Sequence, residues 1–561
     1  MNHYINKPNK VRIVFDAAAK YKQSCLNEQL FKGPDLLNNL VGIIMRFRQG
    51  IIGVIGDIEQ MFHQVKVMEK DRDSIRFVWR DNPNKPIKDY IMTVHLFGKV
   101  DSSCCCNWAL RQTATNYEGG YDQEIAETIT RYFYMDDYLN SFPSKEKAIE
   151  ITLRVIEKLK TGGFNLIKFL SNDRNVLKSL PNNSHSPKLL DLDLDNMPIE
   201  RALGVLWDPN YDVLKVKCVN KDVPFTKRGI LSFTSSIFDP LGILAPAILY
   251  PKLLIQELLR KEIDWDDVIP NELLIRWTKW RSNLSKLSSI YIPRWYYTMQ
   301  IHNQTVELHI FADASEIAYG AVAYIKAINK GEINCSFVQA KSRLAPIKKR
   351  SLTIPKLELQ ATLIASRMKK VIEHELDINF TKIYLWSDST TALKYIKNKH
   401  TDFEKYVLHR TNEISKNTNP DNWHYIPGNL NVADVITRCI DLANLSSNHR
   451  WFKGPSFLYE QSNYVFQCSE LCIASLNLNK TENKLDQPSI PLINWKRYSS
   501  WERLLRVASW IIKLKKKLLC KIRKLPFDEP THSHTAKNLS ENEIEILRII
   551  QKEMFSKDLH Q

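Results

Sequence analysis

Residues 131–142 read RYFYMDDYLNSF, two apolar runs with the adjacent acids Asp136 and Asp137 between them. The runs predict strands, so the two aspartates fall at the tip of a β-hairpin. Asp is a common turn residue and a lone Asp-Asp pair says little, but adjacent acids at such a tip are hard to explain by packing. A third carboxylate sharpens the pattern: Asp57 ends the apolar run IIGVIG, and the aromatic Phe62 follows five residues later. Strand-end carboxylates from distant parts of a chain can converge on a pair of Mg²⁺ ions, which prefer hard oxygen ligands and keep positions open for water and phosphates. One ion then activates an attacking hydroxyl and the other stabilises a leaving pyrophosphate, which is the chemistry of nucleotide addition.

Further along, Asp313 ends the strand VELHIFAD and Glu358 lies in the first turns of the helix KLELQATLIA. Asp388 ends the strand IYLWSD, and Asp434 stands at the head of VADVITR. Taken singly they have ordinary readings, Asp388 as a helix cap before Ser389 and Asp434 as a helix-start acid. Taken together, in the order strand, helix, strand, helix, they resemble the acidic quartet of the ribonuclease H fold. A second two-metal site is the expectation, with metal-activated water attacking the RNA of an RNA–DNA hybrid recognised by shape and 2′-hydroxyls.

The whole sequence sets the frame for these sites. With 561 residues the chain exceeds one hydrophobic core several-fold, so several structural units are expected. A formal charge of +17 attracts polyanions, and the aromatic side chains offer stacking surfaces for bases, although an ordinary solvated basic face would look the same. The longest apolar stretch, Gly242 to Tyr250, contains Pro246 and is too short to cross a bilayer. The start MNHYINKPNK lacks the apolar core of a secretory signal, so the ten cysteines are expected to be mostly free. Residues 1–210 read as α+β, with an amphipathic helix from Lys145 to Lys160 stopped at Gly162-Gly163. Residues 211–300 read as a Trp-rich helical connector broken at Asp239-Pro240 and Ala245-Pro246, and 301–445 as a compact α/β unit. The tail, 446–561, carries a variable stretch (Leu476 to Asp486) and two helices, Trp501 to Lys524 and Ser540 to Phe555. The first of these is basic along one side, a side for solvent or nucleic acid, with membrane-surface binding as the alternative.

The succession Arg12-x-x-x-Asp16, Asp57 with Phe62, Phe97-Gly98, Tyr134-Met135-Asp136-Asp137, Gly163 to Lys168 and Leu203-Gly204-x-x-Trp207 resembles the ordered motifs of retroelement reverse transcriptases. More narrowly, VRIVFDAAAK, GPDLLNNLVGIIMRFRQG, FTSSIFDPLG and FADASEIAYGAV are similar to the Pao/BEL group of long-terminal-repeat retrotransposons, over nearly the whole chain. The resemblance implies an α+β right-hand polymerase of fingers and palm (1–210) and a helical thumb or connection (211–300). After these would come an α/β ribonuclease H-like domain (301–445) and a linker with a helical tail (446–561). It implies an RNA- and DNA-directed DNA polymerase with ribonuclease H activity, part of a polyprotein. Such an enzyme uses two Mg²⁺ (or Mn²⁺) per site, deoxynucleoside triphosphates, an RNA template and a DNA primer. Its setting would be cytoplasmic element particles, with entry to the nucleus.

By the same resemblance Asp57, Asp136, Asp137, Asp313, Glu358, Asp388 and Asp434 are catalytic acids and metal ligands. Tyr134 and Met135 join the nucleotide site. Phe62 would exclude a 2′-hydroxyl, against an ordinary core aromatic; Arg12 would grip the triphosphate, against a surface arginine; Lys168 would donate a proton to pyrophosphate, against a solvated lysine.

There are departures. Where the family continues from Phe97-Gly98 into a Ser-Pro pair, this chain has Lys99-Val100-Asp101-Ser102-Ser103-Cys104, so the loop near the templating base is altered. Cys104, Cys105 and Cys106 lack a second Cys/His pair at metal spacing, as do Cys468 and Cys472, and the triplet reads as a buried helix start. No Asp-Ser/Thr-Gly protease signature or integrase motif is found, and the start falls inside the fingers. A decayed or domesticated copy that only binds nucleic acid is therefore the alternative expectation.

Overall fold

The run around Val54 forms β1 (Ile52–Ile58), an interior strand whose Val54 and Ile58 are fully buried. The computed structural model describes residues 14–80, 82–116, 122–181, 200–218, 221–297, 305–347, 352–398, 403–440 and 442–460. All lie in the first of two compact units, Met1–Ala474. Arg12, Cys468, Cys472, the stretch 476–486 and the helices expected at 501–524 and 540–555 lie outside the described residues.

Beyond β1, a two-stranded ribbon pairs β2 (Arg76–Trp79) with β3 (Lys88–Ile91). The hairpin β4 (Phe133–Tyr134) and β5 (Asp137–Phe142) and the strand β6 (Leu166–Ser171) complete an antiparallel sheet ordered β4-β5-β1-β6. Met135 and Asp136 form the two-residue turn of that hairpin, Met135 at φ 54°. The helix Lys145–Thr161 packs on this sheet because Ala148, Ile151, Val155, Ile156 and Leu159 recur at helical spacing and are all buried. Ser144 caps its start, and Gly163, at φ 79°, ends it: the Gly163 and Phe164 amides donate back to the carbonyls of Lys160 and Leu159. The expected α+β reading of this half and the Gly162-Gly163 stop are both observed.

A smaller sheet runs β10 (Tyr291–Pro293), β9 (Val213–Lys215), β8 (Val205–Asp208) and β7 (Glu200–Ala202) in that spatial order. Leu203 and Gly204, both at positive φ, make the turn between β7 and β8, and buried Trp207 meets Phe47 edge-on at 5.0 Å. Three helices follow, Lys227–Ser236, Ala245–Arg260 and Asn271–Ser282. Asp239-Pro240 does separate the first two. Ala245-Pro246 does not break a helix but begins one: proline in the first turn forfeits no hydrogen bond, since that N–H would have no intrahelical partner. Trp277 and Trp280 stack at 5.3 Å beneath Phe233. These helices dock on the next sheet through Gln256 Nε2, which donates to the Ala345 carbonyl (2.7 Å), and Trp451 Nε1, which donates to that of Ile243 (2.9 Å).

That sheet is mixed: β11 (Thr305–Ala314), β12 (Ala318–Asn329) and β13 (Glu332–Leu344) form an antiparallel meander. The β12–β13 turn is Lys330-Gly331, both at positive φ, as tight hairpins require. After the long helix Ile354–Glu375, β14 (Lys382–Ser387) returns parallel to β11, and β15 (Trp423–Tyr425) parallel to β14, giving the order β13-β12-β11-β14-β15. Every β11 residue except its two ends is buried, so both faces of the sheet are covered.

The halves are joined by buried charge. Arg48 and Arg294 are both fully buried. Arg48 donates to the carbonyls of Arg294 (2.9 Å) and Pro293 (3.0 Å), and Arg294 to those of Phe47 (2.7 Å), Gly50 (2.9 Å) and Ile51 (2.7 Å). Asp212 grips the Arg294 guanidinium with both oxygens, at 2.6 and 2.9 Å. Nearby, Arg46 pairs with Glu375 at the end of the long helix, and Arg131 with Asp377 at 2.9 Å. Among the described residues the cysteines are free, and no helix is long and apolar enough to cross a membrane.

Candidate active sites

β1 and β5 run antiparallel with Asp57 opposite Asp137, and the Ile58 amide donates to the Asp136 carbonyl at 2.8 Å. This pairing fastens the hairpin tip to the end of β1, so acids some eighty residues apart in sequence converge. One carboxylate oxygen from each of Asp57, Asp136 and Asp137 lies within 4.8 Å of the others. Burial, reinforced by the charge of Asp136, pushes the Asp137 carboxyl up to about 7. Like charges held this close are relieved by a proton or a cation, and three hard oxygens suit a divalent ion that retains part of its water shell.

The flanking residues are placed as follows. Lys168, on β6 at φ 58°, forms an ion pair with Asp57, occupying the field a cation would neutralise. Phe62, in the short helix Met61–Gln64, is half-buried and meets Phe97 edge-on, with ring centres 4.6 Å apart. Gly98, at φ 107°, lets the chain pass against the Phe15 carbonyl, where a Cβ would come within 2.0 Å. Met135 accepts a hydrogen bond at its sulfur from Asn107 Nδ2 (3.1 Å), and Tyr134 is half-buried beside it. Nothing local in sequence singles out Asn107. It is found only because the helix Ser102–Thr115 passes under the hairpin.

In the mixed sheet, Asp313 near the end of β11 and Asp388 just beyond β14 sit side by side, since Ala312 pairs with Ser387. Burial first, and then Asp388 and Asp434, push the Asp313 carboxyl up to about 6. Burial and Asp313 raise Glu358, and burial, Glu358 and Asp434 raise Asp388, so the four acids share one electrostatic neighbourhood. Each has a partner: the hydroxyls of Thr437 and Ser389 donate to Asp313 and Glu358, Asn431 Nδ2 to Asp388 Oδ1 (3.3 Å), and Arg438 pairs with Asp434 at 2.6 Å. Thr437, Ser389 and Asn431 escape a sequence reading that looks only for acids. Two details bear on the ordinary readings of these acids as a helix cap and a helix start. The helix Thr390–Lys397 is capped by Ser389, which leaves Asp388 free for the cluster. Asp434 lies in a 3-10 turn, Val432–Ile436, that Asn431 initiates, and not in an α-helix. Among the described residues, grouping of three donors at ligand spacing is found for Asp57, Asp136 and Asp137 but not for this quartet, which is spread more widely.

A five-stranded mixed sheet of order β13-β12-β11-β14-β15 with acids at the ends of its central parallel strands resembles the arrangement of a ribonuclease H-like domain. More particularly, residues 226–389 match the family of the Pao retrotransposon-like RNaseH-like domain, and the chain resembles the pol region of Pao/BEL elements. No curated protein matches it. Among solved structures it is similar to the foamy viral protease-reverse transcriptase dRH in complex with double-stranded DNA. That match has 14% identity, 75% of this chain, 64% of that one and a TM-score of 0.47. It is also similar to the foamy viral protease-reverse transcriptase in complex with RNA/DNA hybrid, at 14% identity, 76% of this chain, 49% of that one and a TM-score of 0.46. The chain thus spans about half to two thirds of the length of these two.

Proposed function

We propose that this chain is an RNA- and DNA-directed DNA polymerase with ribonuclease H activity on RNA–DNA hybrids, part of a retrotransposon polyprotein. The observation that carries the reading is the meeting of Asp57, Asp136 and Asp137 at ligand spacing on a strand end and a hairpin tip. Mg²⁺, or Mn²⁺, held there would lower the pKa of a primer 3′-hydroxyl and neutralise the pyrophosphate that leaves. Asp57 and Asp136 are the direct ligands in this reading. The raised carboxyl of Asp137 would ionise as a cation arrives. Phe62, braced by Phe97, lies under the sugar of the incoming deoxynucleotide, while Tyr134 and Met135 border it. Lys168, which pairs with Asp57, would be the cation nearest this site able to protonate pyrophosphate. Arg12 grips the triphosphate.

Asp313, Glu358, Asp388 and Asp434 would hold the ions that activate water against the RNA strand. The domains are 1–210 (fingers and palm), 211–300 (thumb or connection), 301–445 (ribonuclease H-like) and 446–561 (linker and tail). The partners are RNA template, DNA primer, deoxynucleotides and the rest of the polyprotein, within cytoplasmic particles that deliver DNA to the nucleus.

The test is primer extension on a poly(rA) template with dTTP and Mg²⁺, alongside cleavage of a labelled hybrid. Asp136→Asn should abolish extension and spare cleavage, and Asp388→Asn the reverse. Template binding without extension by the folded parent would replace the proposal with a binding-only copy.

A further inference from the structure

The segment that departs from the reverse transcriptase pattern after Gly98 forms a second group of potential ligands, unrelated in composition to the acidic sites. His95 is buried, its amide bonded to the Val65 carbonyl at 3.0 Å. Asp101 occupies the cap position of the helix Ser102–Thr115, and Cys105 lies one turn later on the same face. One donor atom from each lies within 4.8 Å of the other two.

Two features of Asp101 mark this as more than a polar contact. Although it stands at the cap, its side chain makes no capping bond. Its Oδ2 lies 3.3 Å from the ammonium of buried Lys99, while its Oδ1 is buried with no hydrogen-bond partner. A buried carboxylate oxygen without a partner is costly, and such groups call for an explanation. The neighbours supply one. A buried imidazole nitrogen, from His95, and the Cys105 sulfur both stand at ligand spacing from this carboxylate.

We propose that His95, Asp101 and Cys105 bind one Zn²⁺ ion. Binding would release the Cys105 thiol proton to solvent and form a thiolate–zinc bond, with imidazole nitrogen, Asp101 Oδ1 and a water completing four-coordination. Nitrogen, sulfur and oxygen together suit a borderline ion such as Zn²⁺ and disfavour Mg²⁺. Lys99 stays on Oδ2, so the ion meets one carboxylate already half-compensated and one thiolate. The ion would clamp the chain leading to Phe97, which braces Phe62, onto the helix whose Asn107 holds Met135 of the Asp136–Asp137 hairpin.

The experiment is titration of the full chain with Co²⁺ as a spectroscopic substitute for Zn²⁺, followed by Zn²⁺ displacement. The parent should develop a thiolate-to-cobalt charge-transfer band saturating at one equivalent, abolished by Zn²⁺ but not by excess Mg²⁺. Cys105→Ser should lose the band and His95→Gln should weaken it, with circular dichroism unchanged, whereas Cys104→Ser should keep it. Cobalt bound at the acidic sites gives no such band, so the readout is independent of polymerase or nuclease activity. A folded parent with no band, or a band that survives Cys105→Ser, overturns the proposal.

Discussion

Asp137→Asn should make the metal-free protein more stable while impairing catalysis. The Asp137 carboxyl rises from 3.8 to about 7 in the folded protein. A raised carboxyl means that between these values the folded state keeps a proton the unfolded state has lost. Stability therefore falls as pH climbs through that window and levels off above it. Three units at about 1.4 kcal/mol each give an upper bound of about 4 kcal/mol. Asp137 is only partly shielded from solvent, which reduces the net gain from Asn to about 1–3 kcal/mol at pH 8. The amide keeps the shape and removes the charge facing Asp136. Hydrogen exchange of peptides spanning β1 and β5, in EDTA, reads this locally, without requiring the whole chain to unfold in one step. Comparing variant and parent at the same pH cancels the intrinsic pH dependence of exchange. The extra protection should be near zero at pH 4, grow towards pH 7, stay constant above it, and shrink when Mg²⁺ is added to both proteins. A difference independent of pH, or a variant less protected at pH 8, would refute the reasoning.

Phe62→Ala should raise ribonucleotide incorporation relative to deoxynucleotide incorporation at least about 10-fold, read from single-nucleotide extension, since a lost ring removes the steric bar to a 2′-hydroxyl. Gly98→Ala should cost at least about 1–3 kcal/mol, seen as a lower melting temperature, because the positive φ is strained and the new Cβ meets the Phe15 carbonyl. Glu375→Ala should cost about 3–5 kcal/mol by leaving Arg46 buried and unpaired, and Arg46→Met in the same chain should recover part of it, measured by denaturant unfolding.

What sequence could reveal follows the range of the interactions. The hairpin around Asp136, the helix from Lys145 with its stop at Gly162-Gly163 and the strand that runs into Asp313 are written in local apolar periods and turn residues and are legible in the sequence, whereas the long β13 is not. The meeting of Asp57, Asp136 and Asp137 is legible because one acid ends an apolar run and two stand between apolar runs, places that a sheet brings together. The partners of the acids are not: Thr437 reaches Asp313 and Lys168 reaches Asp57 across more than a hundred residues, and no local spacing encodes that. Ala245-Pro246 misled because proline both breaks helices and starts them, and only the position relative to the first turn decides which. The Cys104–Cys106 triplet reads as a helix start and does open the helix Ser102–Thr115, with Cys106 buried; that His95 and Asp101 come within ligand spacing of Cys105 is a tertiary fact that no Cys/His spacing encodes.

The arginines at the junction have a consequence for dissecting the chain. Arg48 comes from the N-terminal half and inserts among carbonyls at Pro293 and Arg294; Arg294 comes from beyond the three helices and inserts among carbonyls at Phe47, Gly50 and Ile51. A cut between β9 and the first of those helices would leave each fragment with an orphaned cation and the empty cradle for the other's. Fragments produced separately should aggregate, whereas fragments synthesised together should reassemble spontaneously, making this boundary a natural place to build a split reporter.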